Sequence, residues 1–251
     1  MQKIKQSIKI AFCKIMERKV NMPKGGIEWN ALPRKNDSCF ILGTAPSISG
    51  IDLSFINNED VFLVNRGYLL NKQGLDCCRY YVISDKKAFE SYGNELLNAS
   101  FENFISIGDI RIPIDKINAK TLSFLAMYNN GTENRLDHGF VQDNIMQPLS
   151  NSSTVVLSAV QIAIILGYKN IYILGVDNDY SNKNNHFYLD TTEEKKHFET
   201  YTPPIDKNSS AFKKINRYAI SKGSNLTNIT PGNKLKVLPY ISLGEFLKKR
   251  E

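Results

Sequence analysis

Short apolar runs recur along the chain from residue 38 onwards, and each ends at a small or polar motif. Continuous apolar runs of this kind are typical of parallel strands, which are buried on both faces of a sheet. A longer apolar stretch at 153–166 predicts a helix that ends at Gly167, and residues 209–222 predict another that ends at Gly223. Alternation of strands and helices predicts an α/β fold, a Rossmann-like and mostly parallel sheet with flanking helices. The predicted strands are residues 38–42, 61–64, 80–83, 104–107, 170–174 and 225–229.

Ligands of such sheets bind at the carboxyl ends of the strands. The residues of interest are therefore those at 43–47, 65–67, 84–85 and 175–180. The first of these segments, Gly-Thr-Ala-Pro-Ser, combines a glycine that permits close approach with hydroxyl and amide groups suited to phosphate. It has neither the further glycines of a dinucleotide fingerprint nor the lysine of a P-loop. Taken alone, it fits an ordinary turn equally well.

The amino-terminal arm differs in character from the rest of the chain. Residues 3–20 show an apolar stripe at helical spacing flanked by lysines, which predicts a basic amphipathic helix. Residues 21–36 are rich in Gly and Pro and predict a linker, so that 1–36 is an appendage and 37–251 a single Rossmann-like domain. Such a helix suits an anionic inner-membrane surface, but docking on its own domain or on another subunit fits equally.

Charge and cysteine content narrow the function classes. The net charge is +7, and residues 1–24 hold +6 of it through seven Lys or Arg side chains and one Glu. The remaining chain carries no basic face or recognition motif, which argues against nucleic-acid binding. No apolar run approaches the roughly 20 residues of a membrane span, and charges interrupt every secretory-signal-like stretch. The four cysteines lack metal-type spacing and indicate free thiols in a reducing cytoplasm.

Two segments resemble a known family in order and spacing. The first holds Gly43, Pro46-Ser47, Ile51-Asp52 and Asn65; the second is 154–177, with Leu-Gly-Tyr-Lys and Gly-Val-Asp, followed by Asp190-Thr191. They are similar to the bacterial lipo-oligosaccharide sialyltransferases of glycosyltransferase family 42. They also resemble the wider group of sialyltransferase-like and pterin-pyrophosphokinase-like proteins. Together they cover under half of the chain.

The resemblance implies a donor site for a nucleotide sugar. The turn after the first strand would hold phosphate and ribose, and Asn65 would contact the nucleotide. A helix amino terminus with hydroxyl groups also suits an anion, although simple helix capping explains residues 152–154 as well. Asp177 would order its loop or bind ribose. The implied donor-binding residues are Gly43, Thr44, Pro46, Ser47, Asn65, Ser84, Asp85, Ser152, Ser153, Thr154 and Asp177.

The resemblance also implies catalytic residues that need no metal. Two family tyrosines assist departure of the phosphate; Tyr180 matches the first, and Tyr188 or His186 the second. The family's general base is a histidine near the position of Asp206, where this chain has none. We therefore expect His186 as the base, with Asp206 as a carboxylate alternative. His138 is a third candidate, and His197 lies too early.

The pair Asp177 and Asp179 also resembles the Asp-x-Asp of metal-dependent glycosyltransferases. The sialyltransferase-like family uses a monophosphate-linked donor without metal, so we expect no cofactor and treat a divalent cation at this pair as the alternative. The polar segment 178–210 suits either a mobile lid or an acceptor-binding excursion.

The sequence thus favours a glycosyltransferase that moves an acidic sugar from a CMP-linked donor to a surface glycan or glycolipid, in lipopolysaccharide or capsule synthesis. The expected location is cytoplasmic and peripheral to the inner membrane, and the family's habit of forming oligomers makes a homo-oligomer an open expectation. Two alternatives remain. One is a pterin-type pyrophosphokinase using ATP and magnesium, with Asp85, Asp177 or Asp179 as ligands. The other is a non-catalytic membrane-bound scaffold.

Overall fold

The computed structural model describes residues 34–76, 78–108, 110, 116–125, 127, 135–143, 147–180, 185–200 and 205–250. At residues 124 and 197–200 it describes the backbone alone. The predicted amphipathic helix at 3–20 and its linker lie outside these residues, so the division at residue 36 stays a prediction. Among the described residues, no helix is long and apolar enough to cross a membrane.

A seven-stranded, wholly parallel sheet forms the centre of the described chain, in the order β5-β4-β3-β2-β1-β6-β7. Chain order runs outward from β1 to β5 on one side and returns to β6 and β7 on the other. The direction therefore switches between β1 and β6. The strands are β1 (Ser38–Leu42), β2 (Asp60–Val64), β3 (Tyr80–Ile83), β4 (Ser100–Ile107), β5 (Asn118–Leu125), β6 (Asn170–Leu174) and β7 (Asn225–Asn228).

Within the described segments, five α-helices connect and cover the strands, and 3₁₀ helices follow β1 and β2 at Pro46–Ile48 and Asn65–Gln73. The Rossmann-like α/β prediction is confirmed. The helices are α1 (Lys86–Leu96), α2 (Val155–Ile165), α3 (Thr192–Thr200), α4 (Ile205–Ser221) and α5 (Leu243–Lys248).

Alternation along the strands divides the core into two layers. In β1, Cys39 and Ile41 face one layer, whereas Phe40 and Leu42 face the other. The first layer contains α2, in which every residue from Val155 to Ile164 is buried, as expected for a helix that is apolar on all sides. Truncating one such Leu or Ile to Ala costs about 2–5 kcal/mol, so the centre of the sheet forms a stiff platform.

The turns after β1 and β6 are joined at the switch point. The amide of Gly43 donates to the carbonyl of Leu174 over 2.8 Å, and the amide of Ala45 donates to that of Gly175 over 3.0 Å. A Cβ on Gly43 would lie 2.2 Å from the Gly175 carbonyl oxygen and 2.6 Å from a methyl of Val176. Glycine is therefore required at 43 by the neighbouring turn, whether or not a ligand approaches.

Candidate active site

A cleft of about 850 Å³ opens at the carboxyl ends of β1, β2, β3 and β6. It lies at the switch point of the sheet, where open α/β folds bind their ligands. Two walls enclose it. The inner wall consists of the strand ends and the amino terminus of α2, and it includes Thr44, Asn65, Ser84 and Ser153. The outer wall is the segment 185–196, which includes the start of α3.

The first turn contributes only part of its residues to the cleft. Gly43 and Thr44 line it, and the carbonyl of buried Thr44 accepts a 3.0 Å hydrogen bond from the amide of Phe187 on the outer wall. Pro46 and Ser47 instead begin the 3₁₀ helix after β1 and do not line the cleft. The phosphate-suited part of the predicted motif is thus residues 43–45.

Asn65 follows β2 in a left-handed conformation, with φ of +49°, and lines the cleft. Such a conformation is uncommon outside glycine and is often found at functional sites. Its carbonyl accepts a 2.8 Å hydrogen bond from the hydroxyl of Tyr81, a fully buried residue of β3. Burial raises the pKa of Tyr81, so its hydroxyl remains a donor at neutral pH. Tyr81 thereby holds Asn65 in position.

Ser84 and Asp85 follow β3 and also line the cleft. The Asp85 side chain accepts hydrogen bonds from the amides of Lys87 and Ala88, at 2.8 and 3.2 Å, and so caps α1. One oxygen of this carboxylate therefore has a structural task.

Ser152, Ser153 and Thr154 line the cleft at the amino terminus of α2. Their hydroxyls bind within the protein: Ser152 to the Thr154 carbonyl at 3.1 Å, Ser153 to Asn208 of α4, and Thr154 to the amide of Val156 at 3.4 Å. The capping role is thus observed. What this terminus offers an anion is the positive end of the helix dipole.

The outer wall presents His186 beside a buried carboxylate. The Nδ1 atom of His186 lies 2.5 Å from Oδ1 of Asp190, whose side chain is 1% exposed. His186 itself lines the cleft. A carboxylate on Nδ1 fixes the tautomer and directs Nε2 to proton transfer. Sequence reasoning did not assign Asp190 a role, although its spacing of four from His186 is visible in the sequence.

Tyr188 joins this histidine to a buried cation. Its ring stacks on that of His186 at 4.7 Å and 8°, and the Arg66 guanidinium lies over it at 4.7 Å. Burial, and then the charge of Glu194, raise the pKa of Tyr188. Its hydroxyl donates to Glu194 over 3.2 Å, which directs it into the outer wall. Tyr188 thus supports His186 from the side.

Arg66 holds the outer wall against the sheet. Its side chain, 10% exposed, pairs with Glu95 of α1 at 2.5 Å and with Glu194 of α3 at 3.7 Å. A 2.9 Å hydrogen bond between the hydroxyls of Ser91 and Thr191 adds a second tie from α1. Arg66 lies in the segment 65–67 marked in the sequence, but it received no role there, because nothing in its local pattern reveals partners 29 and 128 residues away.

The remaining candidates divide between the cleft and the surface. Tyr180 lines the cleft. Asp206 lies exposed in the first turn of α4 and His138 is half exposed beside Asp137; neither lines the cleft. His197 belongs to the part of α3 whose side chains are not described. His186 is therefore the histidine that the structure brings together with the donor-site candidates.

Asp177 and Asp179 lie at the cleft after β6, and Lys234 reaches both from the loop after β7. Among the described residues, no group of three or more His, Cys, Asp or Glu side chains is arranged to hold a metal ion. The segment predicted as a lid or acceptor excursion, 178–210, contains the outer wall, α3 and the start of α4.

The fold is similar to that of solved glycosyltransferases. The MAf glycosyltransferase from Magnetospirillum magneticum AMB-1 shares 16% identity at a TM-score of 0.56, covering 83% of this chain and 34% of that one. The monofunctional alpha-2,3-sialyltransferase Cst-I from Campylobacter jejuni shares 15% identity at a TM-score of 0.54, covering 83% and 81%. No family model and no curated protein sequence matches. The chain thus has the sialyltransferase-like fold that its two motifs predict.

Proposed function

We propose that this chain is a metal-independent glycosyltransferase of the sialyltransferase-like type. It would move an acidic sugar from a CMP-linked donor to a bacterial glycan or glycolipid. The observation that carries the proposal is the His186–Asp190 pair, set in the wall of a cleft at the switch point of the sheet. A carboxylate-oriented imidazole facing a nucleotide-sized cleft is suited to deprotonating an acceptor hydroxyl.

The inner wall would hold the donor. The turn at 43–45 and the α2 amino terminus offer amide groups and a positive helix end for the phosphate, and Asn65 offers an amide to the nucleotide. Lys86, Lys87 and Lys196 also line the cleft, and an acidic sugar donor carries both a phosphate and a carboxylate. Because carboxylates such as Glu90 and Glu193 also line the cleft, these lysines offer local contacts for such a donor and not a uniformly positive surface.

The transfer itself exchanges one carbon–oxygen bond for another. The acceptor oxygen bonds to the anomeric carbon while the bond from that carbon to the phosphate oxygen breaks, and CMP departs with the electron pair. The hydroxyl proton passes to Nε2 of His186, and Asp190 stabilises the imidazolium that forms. Tyr180 is the donor proposed to neutralise charge on the departing phosphate.

The amino-terminal arm would bring the enzyme to its acceptor. The basic amphipathic helix predicted at 3–20 would bind anionic lipid through both its apolar stripe and its lysines. In this proposal the protein is cytoplasmic and peripheral to the inner membrane, where glycolipid acceptors of lipopolysaccharide or capsule synthesis reside.

A thermal-shift screen tests the proposal. Purified protein is heated with CMP, CDP, UDP, GDP or ATP, each with magnesium or with EDTA. A ligand that binds only the native state raises Tm by mass action. The proposal expects a CMP shift that EDTA leaves unchanged. A shift only with ATP and magnesium would favour the pyrophosphokinase, and no shift with any nucleotide would favour the scaffold.

A further inference from the structure

A lysine lies between the two carboxylates that resemble a metal motif. Asp177 and Asp179 follow β6, and the Lys234 ammonium lies 3.7 Å from Oδ2 of Asp177 and 3.0 Å from Oδ2 of Asp179. Lys234 comes from the loop after β7, more than fifty residues further along the chain. The parallel pairing of β6 and β7 brings the two loops together at the cleft end of the sheet.

The surroundings of Asp177 show that this position needs a cation. Its side chain is 3% exposed, and its Oδ1 is buried without a hydrogen-bond partner among the described residues. A buried carboxylate without a counter-charge is costly. The Lys234 ammonium donates a 3.0 Å hydrogen bond to Asp179. One ammonium therefore contacts two carboxylates and offsets one of their two negative charges.

A divalent cation would bind at the position that the Lys234 ammonium occupies. Hard cations bind carboxylate oxygens, and the Asp-x-Asp spacing offers two of them beside the cleft. Lysine is a compact point charge that fills such a position without further ligands. We propose that Lys234 is the resident cation of the Asp177–Asp179 pair, occupying the place that a divalent metal would take.

This inference deepens the proposed function and rests on it for the donor in the cleft. It gives a physical reason for metal independence: the fold itself supplies a cation to the Asp177–Asp179 pair that lines the cleft. It also assigns Lys234, which no sequence motif marks, as a residue that determines whether the site takes a metal.

Manganese binding to the full-length protein tests the inference. Free Mn²⁺ is measured by electron paramagnetic resonance during titration of the wild type, Lys234→Ala and Lys234→Arg. Lys234→Ala is expected to gain one saturable site at least about tenfold tighter than any in the wild type, because two carboxylates lose their cation. Lys234→Arg keeps the charge and is expected to bind as the wild type does.

Two controls locate the new site. Lys236→Ala removes an exposed charge from the same loop and is expected to leave manganese binding unchanged. Lys234→Ala combined with Asp179→Asn is expected to lose the gained site. Circular dichroism confirms that each variant is folded.

Two results would overturn the inference. One is a wild type that binds manganese as tightly as Lys234→Ala; the other is a folded Lys234→Ala that gains no site. Wild-type CMP binding is measured separately by calorimetry. Its absence would contradict the proposed function and would leave the manganese comparison fully interpretable.

Discussion

The two walls of the cleft are built in different ways. The inner wall is fixed mainly by backbone, namely the strand ends and the paired turns after β1 and β6, with side-chain hydrogen bonds such as that from Tyr81 to the Asn65 carbonyl. The outer wall is held mainly by side chains, namely the ion pairs of Arg66, the stacked rings of His186 and Tyr188, and Asp190. One backbone hydrogen bond, from Phe187 to Thr44, joins the two walls.

This difference suggests that the two walls have different functions, one in binding the donor and the other in proton transfer. A wall made of strand ends pre-organises a binding surface at no further entropic cost. A wall made of side-chain contacts can place a proton-transfer group accurately while remaining separable from binding. Substitutions in the two walls should therefore have different signatures.

The largest expected effect is the loss of turnover caused by a substitution in the outer wall. His186→Gln should lower the rate of CMP release from a CMP-linked acidic sugar by about 100- to 10,000-fold, because the proton acceptor is lost. The rate is measured with saturating donor, and Asp206→Asn serves as the control on the exposed carboxylate. Unchanged turnover in His186→Gln, or an equal loss in Asp206→Asn, would remove His186 from its role.

The inner wall should show its largest effect on stability. Gly43→Ala places a Cβ 2.2 Å from the Gly175 carbonyl oxygen, a backbone atom. We expect a loss of about 3 kcal/mol or more in the free energy of unfolding, measured by urea denaturation. Gly244→Ala in α5, where an added Cβ meets nothing within 4 Å, is the control and should be neutral or slightly stabilising. Equal stability of the two variants would refute the close approach of the two turns.

Arg66→Met should weaken the outer wall. It leaves Glu194, 10% exposed, without its cation, while Glu95 is half exposed and loses less. We expect about 2 to 3 kcal/mol of destabilisation and increased proteolysis between residues 185 and 196. The exposed Arg217→Met on α4 is the matched control and should change stability by less than about 0.5 kcal/mol. The idea fails if the two variants unfold at the same urea concentration.

The smallest effect on stability and binding is expected from a substitution of Tyr81, which lies behind the inner wall. Tyr81→Phe removes the 2.8 Å hydrogen bond to the Asn65 carbonyl. The cost should be about 1 to 2 kcal/mol of stability, together with a few-fold weaker affinity for CMP. Tyr240→Phe, at an exposed tyrosine, is the control. CMP affinity is measured by calorimetry. An unchanged affinity in Tyr81→Phe would show that Tyr81 does not position Asn65 for binding.

Apolar runs predicted the centre of the fold well. Residues 38–42, 80–83 and 170–174 are strands with the predicted bounds, because strands buried on both faces are continuous in sequence. β5 was not predicted, because the edge-strand sequence Asn-Ala-Lys-Thr-Leu-Ser-Phe-Leu lacks the continuous apolar run by which the other strands were predicted. Its partial alternation of polar and apolar residues is the pattern that could have revealed it. The helices α1, α3 and α5 were likewise not singled out, and the first of them is marked mainly by its Asp85 cap.

The candidate site was predictable as far as strand ends define it. Thr44, Asn65, Ser84 and Asp177 follow strands and do line one cleft. Arg66 and Asp190 fall in segments that the sequence marks but received no role, and Lys234 was missed, because the importance of all three arises from contacts that chain folding alone creates. Pro46, Ser47 and Asp206 match motif positions in sequence but lie away from the cleft.

The central claim is that the inner wall binds the donor and the outer wall transfers the proton. A calorimetric titration of the wild type, Asn65→Gly and His186→Gln with CMP in EDTA tests it directly. Glycine tolerates the φ of +49° at position 65, so this variant removes the side chain without backbone strain. We expect Asn65→Gly to weaken CMP binding by at least about tenfold, and His186→Gln to bind within about twofold of the wild type. Equal CMP affinity in Asn65→Gly and wild type, or a loss confined to His186→Gln, would contradict the account.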